Sequence, residues 1–111
     1  GNTIRSHMYV ADYAAWLLVI LLSSTIGNIF NVGSDKGITL NKLAIKVSRL
    51  SKISTDIFLN SSLSGSVVNT SLVPDTSKVF DKLGLSQITD IDTAIERTLK
   101  WYELDLISKN K

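Results

Sequence analysis

The chain has 111 residues, 44% of them hydrophobic and 20% charged, which is one domain's worth with enough apolar surface to fold and unlike a disordered tail. Twelve basic against ten acidic side chains leave a formal charge of +2, too little to draw the chain onto nucleic acid or an anionic membrane by field alone. Cysteine is absent, which excludes a disulfide framework, a thiolate nucleophile and a cysteine-built zinc site and suits a reducing cytoplasm.

Arg5 to Tyr9 reads as a short extended piece. Asp12 then stands at the edge of ten uninterrupted apolar residues, Tyr13 to Leu22. A carboxylate there can accept from the free amides of a first helical turn, so a helix is predicted from Ala11 to Ser23 with Asp12 as its cap. Ten helical residues rise about 15 Å, half of the roughly 30 Å hydrocarbon core of a bilayer, so the run is too short to span one. A turn-like "SSTIGNIFNVG" follows it where a secretory signal would place a cleavage site. A helix apolar on all sides is one that expects cover from more than one.

Beyond the break at Gly27 and Asn28, "NIFNVG" predicts a buried strand over 28–33, followed by the loop "SDKG". From Thr39 onward, Leu40, Leu43, Ala44, Val47 and Leu50 recur at the steps of one helical face. Lys42, Lys46, Arg49 and Lys52 lie mainly on the other side and read as a solvated surface. "TDIFLN" predicts a strand over Thr55 to Asn60, and the Ser- and Gly-rich stretch after it a loop with slight β character at Val67 and Val68. "PDTSK" is a helix entry with Asp75 or Thr76 as cap, leading to Val79, Phe80 and Leu83 before Gly84 ends it. Thr89 or Asp90 caps the last helix, whose apolar stripe is Ile91, Ile95, Leu99, Tyr102 and Leu106, widened by Trp101.

Reaction-bearing residues are scarce. His7 is the only histidine, so neither a histidine metal site nor a nucleophile-histidine pair can be built on it. The glycines at 27, 33, 37, 65 and 84 form neither known phosphate cradle. Asp90, Asp92 and Glu96 gather at a helix start, where capping and the macrodipole account for them.

Four stretches in register carry a resemblance: "IRSHMYVADYAAWLLVILL", "GNIFNVGSDKGITLNKLAIKV", "LVPDTSKVFDKLGL" and "DIDTAIERTLKWY". In that order and spacing they resemble the C-terminal portion of the extended short-chain dehydrogenase/reductases that act as nucleotide-sugar epimerases and dehydratases, the dTDP-glucose 4,6-dehydratase-like branch above all. The resemblance implies an α/β fold with α+β character: residues 1–111 as a C-terminal substrate-binding domain fragment of about four helices with short strands. The Rossmann domain that binds NAD or NADP in the full-length enzyme would be absent, whether by excision, proteolysis or truncation. So would the Tyr-x-x-x-Lys pair that takes a hydroxyl proton as hydride passes to the nicotinamide. Tyr9, Tyr13 and Tyr102 are followed four places on by Tyr13, Leu17 and Leu106, so the pair is indeed not in this chain.

The same resemblance implies two substrate-binding residues. Arg5 matches the arginine of the family's R-x-[YW]-x-[HY]-V-x-D stretch, where its planar fork would clamp the nucleotide diphosphate. His7 falls where the family has an aromatic residue near the nucleotide, while Tyr9 and Asp12 match structural positions. A second clamp arginine expected before "SLVPDT" is missing. No catalytic residue, metal or bound cofactor is expected of the chain itself, which would be inactive alone. A nucleotide-sugar, the missing cofactor domain and a homo-oligomer are its expected partners, without nucleic acid or membrane, and lyase or isomerase chemistry in polysaccharide biosynthesis, in the cytoplasm, is the expected setting. The alternative is a non-enzymatic interaction module that self-associates or docks a partner through exposed apolar helix faces.

Overall fold

The computed structural model describes residues 1–23, 27–52, 56–58 and 70–109, with side chains through 103. Strand β1 (Ile4–Ser6) leads into helix α1 (Val10–Leu22), and β2 (Gly37–Thr39) runs directly into α2 (Leu40–Ser51). Strand β3 (Ser71–Leu72) is followed by α3 (Ser77–Leu83) and α4 (Ile91–Lys109). The described residues thus form the expected mixture of four helices and short strands. β1 is the central strand of a three-stranded sheet, antiparallel to β2 with Arg5 opposite Ile38, and parallel to β3 with Arg5 opposite Leu72.

The helix ends follow from local chemistry. Thr39 caps α2 by accepting from the Lys42 amide, and α3 stops at Gly84, whose φ of +66° is the left-handed conformation that favours glycine. Asp90 accepts from the amides of Asp92 and Thr93 at the start of α4. Asp12 departs from expectation. Tyr9 occupies the cap position of α1, with no side-chain hydrogen bond, while Asp12 sits inside the first turn and is 8% exposed. Its carboxylate accepts instead from the amides of Ile88 and Thr89 and from the Thr89 hydroxyl. A partner distant in sequence outcompetes the local amides because it brings three donors at once and closes them off from water.

The strand expected over 28–33 is not formed; β2 lies a few residues later, and 27–33 carry no strand. Ile29 is exposed, and the Asn31 amide donates to the Asp75 carbonyl, so this segment bonds outward rather than along a ladder. The edge of β1 is taken at Gly37, where an added Cβ would lie 2.6 Å from Ile4 Cγ2 and 2.8 Å from Val73 Cγ2. Only glycine admits both neighbours at that distance. Gly37→Val is expected to force them apart and destabilise the chain by about 2 kcal/mol, read as a lower urea midpoint at unchanged slope. Of the strand expected over Thr55 to Asn60, 56–58 are described and are not in a strand, and the remainder, with Val67 and Val68, lies outside the described residues.

Among the described residues, the buried apolar ones are Trp16 of α1, Val79 of α3, and Ala94 and Ile95 of α4. Helices α2 and α4 pack together, and Lys46 donates to both carboxylate oxygens of Asp92 across that seam, at 2.6 and 2.8 Å. The basic row is therefore tied down at Lys46, while Lys42, Arg49 and Lys52 are exposed as expected.

The chain is a slab of 49 × 48 × 19 Å with a radius of gyration of 17.4 Å, against about 13 Å for a globule of this length. Helix α1 forms much of its uncovered apolar surface: Val10, Leu18, Leu21 and Leu22 are each more than half exposed.

Candidate functional site

Three segments converge beside the C-terminal end of β1: the strand itself, the loop 31–36, and residues 72–76 leading from β3 to α3. Between them opens a hollow of about 550 Å³ whose walls include Arg5, Tyr13, Asn31, Val32, Leu72 and Pro74. Arg5 is the one cationic side chain among its described walls. Its guanidinium Nη1 donates to the Ile4 carbonyl at 2.9 Å and, at longer range, to the carbonyl and hydroxyl of Thr70. The Thr70 contacts, at 3.3 to 3.5 Å, are weak enough to exchange for an anion.

His7 is elsewhere. Alternate residues of a strand share a face, but β1 ends at Ser6 and the backbone turns into α1, so His7 leaves the face that Arg5 occupies. It lines a small hollow of about 210 Å³ with Ser34, Gln87 and Asp90 and the rim of an apolar one against α4. Its Nε2 is buried and has no hydrogen-bond partner among the described residues.

A second open hollow, about 500 Å³, shares Gly33 and Pro74 with that of Arg5 and is walled by Trp16, Asp35, Lys36, Asp75 and Phe80. A Cβ on Gly33 would stand 2.9 Å from Pro74 Cγ, so the bare backbone at Gly33 sets the closeness of the two loops. Asp75 is held below the usual carboxylate range by the Ser77 backbone amide and then by the Ser77 hydroxyl. Asp90 is likewise lowered, by the Thr93 hydroxyl first and its amide second. Both contributions are fully present above the ordinary aspartate value of about 3.9 and disappear as pH falls through the lowered folded values.

These walls are positioned by a chain of polar contacts that sequence reasoning missed. The Ser6 hydroxyl donates to the Ser34 carbonyl and accepts from its amide. The Ser34 hydroxyl, in a residue 1% exposed, bonds to Gln87 Oε1; the Gln87 amide donates to the Thr89 carbonyl; Thr89 ends on Asp12. Five residues from three separate stretches of the sequence thus lock β1, the loop and α1 together. Asn31 was also missed. A lone amide inside a β-prone stretch was the available signal, since a side chain with two donors there needs a partner outside the strand.

The structure also tests the fit of NAD. The strand-to-helix junctions at His7–Tyr9, at Thr39 and across 73–76 contain no glycine, so none lets backbone amides close around a pyrophosphate. None of these described junctions offers NAD a cradle of that kind. The described residues also hold no cluster of three potential metal ligands and no helix long and apolar enough to cross a membrane.

No family model matches the chain. Among curated proteins, a trifunctional UDP-glucose 4,6-dehydratase/UDP-4-keto-6-deoxy-D-glucose 3,5-epimerase/UDP-4-keto-L-rhamnose-reductase from Arabidopsis thaliana is 24% identical over 102 residues, 92% of this chain and 15% of that protein. Among solved structures, the Bordetella bronchiseptica enzyme WbmF, in complex with NAD+ and UDP, superposes with a TM-score of 0.78 at 22% identity, covering 97% of this chain and 31% of its own. The dTDP-glucose 4,6-dehydratase of Bacillus anthracis str. Ames, in complex with NAD, gives 0.76 at 18% identity, with 91% and 31% covered. The chain has the fold of part of the two solved enzymes, and it spans 15% of the curated relative and 31% of each of those solved chains.

Proposed function

We propose that this chain is the substrate-binding portion of an NAD(P)-dependent nucleotide-sugar epimerase or 4,6-dehydratase, with Arg5 anchoring the diphosphate. The observation that carries the reading is the placement of Arg5: a loosely held guanidinium in the wall of an open hollow, on a fold shared with enzymes solved with NAD and, in one case, UDP. A guanidinium bonds two phosphate oxygens at once, and the apolar walls from Val32, Leu72 and Val73 would strengthen that pairing by thinning the water around it. Asn31, held to the Asp75 carbonyl, presents a second polar group on the same wall.

The hydride chemistry of the whole enzyme belongs to the cofactor, whose site this chain does not form. What its own residues contribute is binding and orientation, so the chain alone would be catalytically silent. A cytoplasmic setting belongs to the same proposal. His7 has a smaller part in it, since it lines a separate hollow and would reach the nucleotide only at the margin.

Proton-nitrogen correlation spectra during titration with UDP test the reading. Shifts are expected at Ser6, Asn31 and Leu72, saturating only toward millimolar ligand, and Arg5→Ala should abolish them. Shifts centred on α4, or a response indifferent to Arg5→Ala, would contradict the assignment.

A further inference from the structure

One wall of the Arg5 hollow is held from outside it. Residues 27–33 form no strand, so their polar backbone groups must find partners elsewhere. Packing does little to steady the start of this stretch, since Ile29 is 84% exposed. Two contacts to the beginning of α3 hold it instead. Lys78 Nζ donates to the Ile29 carbonyl at 3.0 Å and stands 5.4 Å from the centroid of the Phe30 ring, within the range of a cation–π contact. Asn31 Nδ2 donates to the Asp75 carbonyl at 2.9 Å. Lys78 is a firm anchor for this, because its neighbour Val79 is 1% exposed and fixes α3 in the core.

Lys78 does not line the hollow, yet the residues it holds lead straight into it. Asn31, Val32 and Gly33 form one wall, and Leu72, Val73 and Pro74, just before α3, form the other. The walls touch at Gly33 and Pro74, where a Cβ would stand 2.9 Å from Pro74 Cγ. The bond from Lys78 to Ile29 ties the same two segments further along, so their spacing is fixed at more than one point. We infer that Lys78 is a positioning residue: it sets the width of the hollow, and with it the fit of a phosphate held by Arg5, without touching the ligand. The effect on a ligand rests on the proposed function, whereas the effect on the loop does not.

Lys78→Met keeps an apolar stem against Phe30 but removes the donor and the charge; Lys78→Arg restores both, and Lys82→Met removes an ammonium elsewhere on α3. Both lysines are exposed, so each variant should fold, which circular dichroism checks. Amide nitrogen relaxation of the ligand-free chain should show added nanosecond motion at Ile29 to Val32 in Lys78→Met alone. Titration with UDP should then give a dissociation constant raised about threefold in Lys78→Met, the size expected for one exposed charge-assisted hydrogen bond, and unchanged in the other two variants. Unaltered relaxation at residues 29–32 in Lys78→Met, equal loosening in Lys82→Met, or no rescue by Lys78→Arg would overturn the inference. A loosened loop with unchanged UDP affinity would do so as well. A parent chain whose spectra ignore UDP would instead contradict the proposed function, and the relaxation data would still decide for or against Lys78.

Discussion

Replacing Asp12 with alanine is expected to cost about 3–4 kcal/mol, enough to unfold much of the population of a small chain at room temperature. Asp12 is 8% exposed, and its carboxylate accepts three hydrogen bonds. Removing it strands the Thr89 amide and hydroxyl in a place water does not reach, and a buried donor without an acceptor costs more than the bond contributed. The loss propagates along the polar chain, because Thr89 also holds Gln87, and Gln87 holds Ser34 behind the candidate site. Asp12→Asn, which keeps one acceptor oxygen, should lose about half as much. Urea denaturation followed by circular dichroism measures both. An alanine variant within about 1 kcal/mol of the parent would mean that the latch is dispensable.

Trp16 gives the second large effect, with a built-in control. At 3% exposure it is the largest buried side chain of the core, so Trp16→Ala should cost about 3–5 kcal/mol through lost contacts and the cavity left behind. Its indole Nε1 is buried without a partner among the described residues. Trp16→Phe therefore forfeits ring volume but no hydrogen bond, and about 1–2 kcal/mol is expected. Because Trp101 is 61% exposed, the blue-shifted part of the tryptophan emission reports Trp16, and its shift on unfolding can be compared with the circular dichroism transition. Equal losses for the two variants would show that packing of the ring is not what the site supplies.

What could be read from the sequence divides by range. The helices were legible because their signals are local: the periodic Leu40 to Leu50 face, Gly84 as terminator and Asp90 at the last helix start all act within a turn or two. The sheet was not, because its strands are two or three residues long and held by partners up to 67 positions away, as Arg5 opposite Leu72 shows. Ile29, Phe30 and Val32 have the composition of a strand, yet Gly37 has the room for one, and room is a property of Ile4 and Val73. Asp12 shows the same limit at one residue: its position suited a helix cap, while its partners lie more than seventy residues on. At the candidate site, Arg5 was legible only by resemblance. The hollow around it, and the departure of His7 from that hollow, depend on where β1 stops.

The proposed function makes residues 1–111 one wall of a nucleotide-sugar site. Tight ligands bury most of their surface in a pocket, and an open hollow served by a single arginine does not achieve that. Isothermal titration calorimetry of UDP- and dTDP-sugars into the chain tests this most directly. Binding weaker than micromolar is the predicted result, and a submicromolar dissociation constant would contradict it.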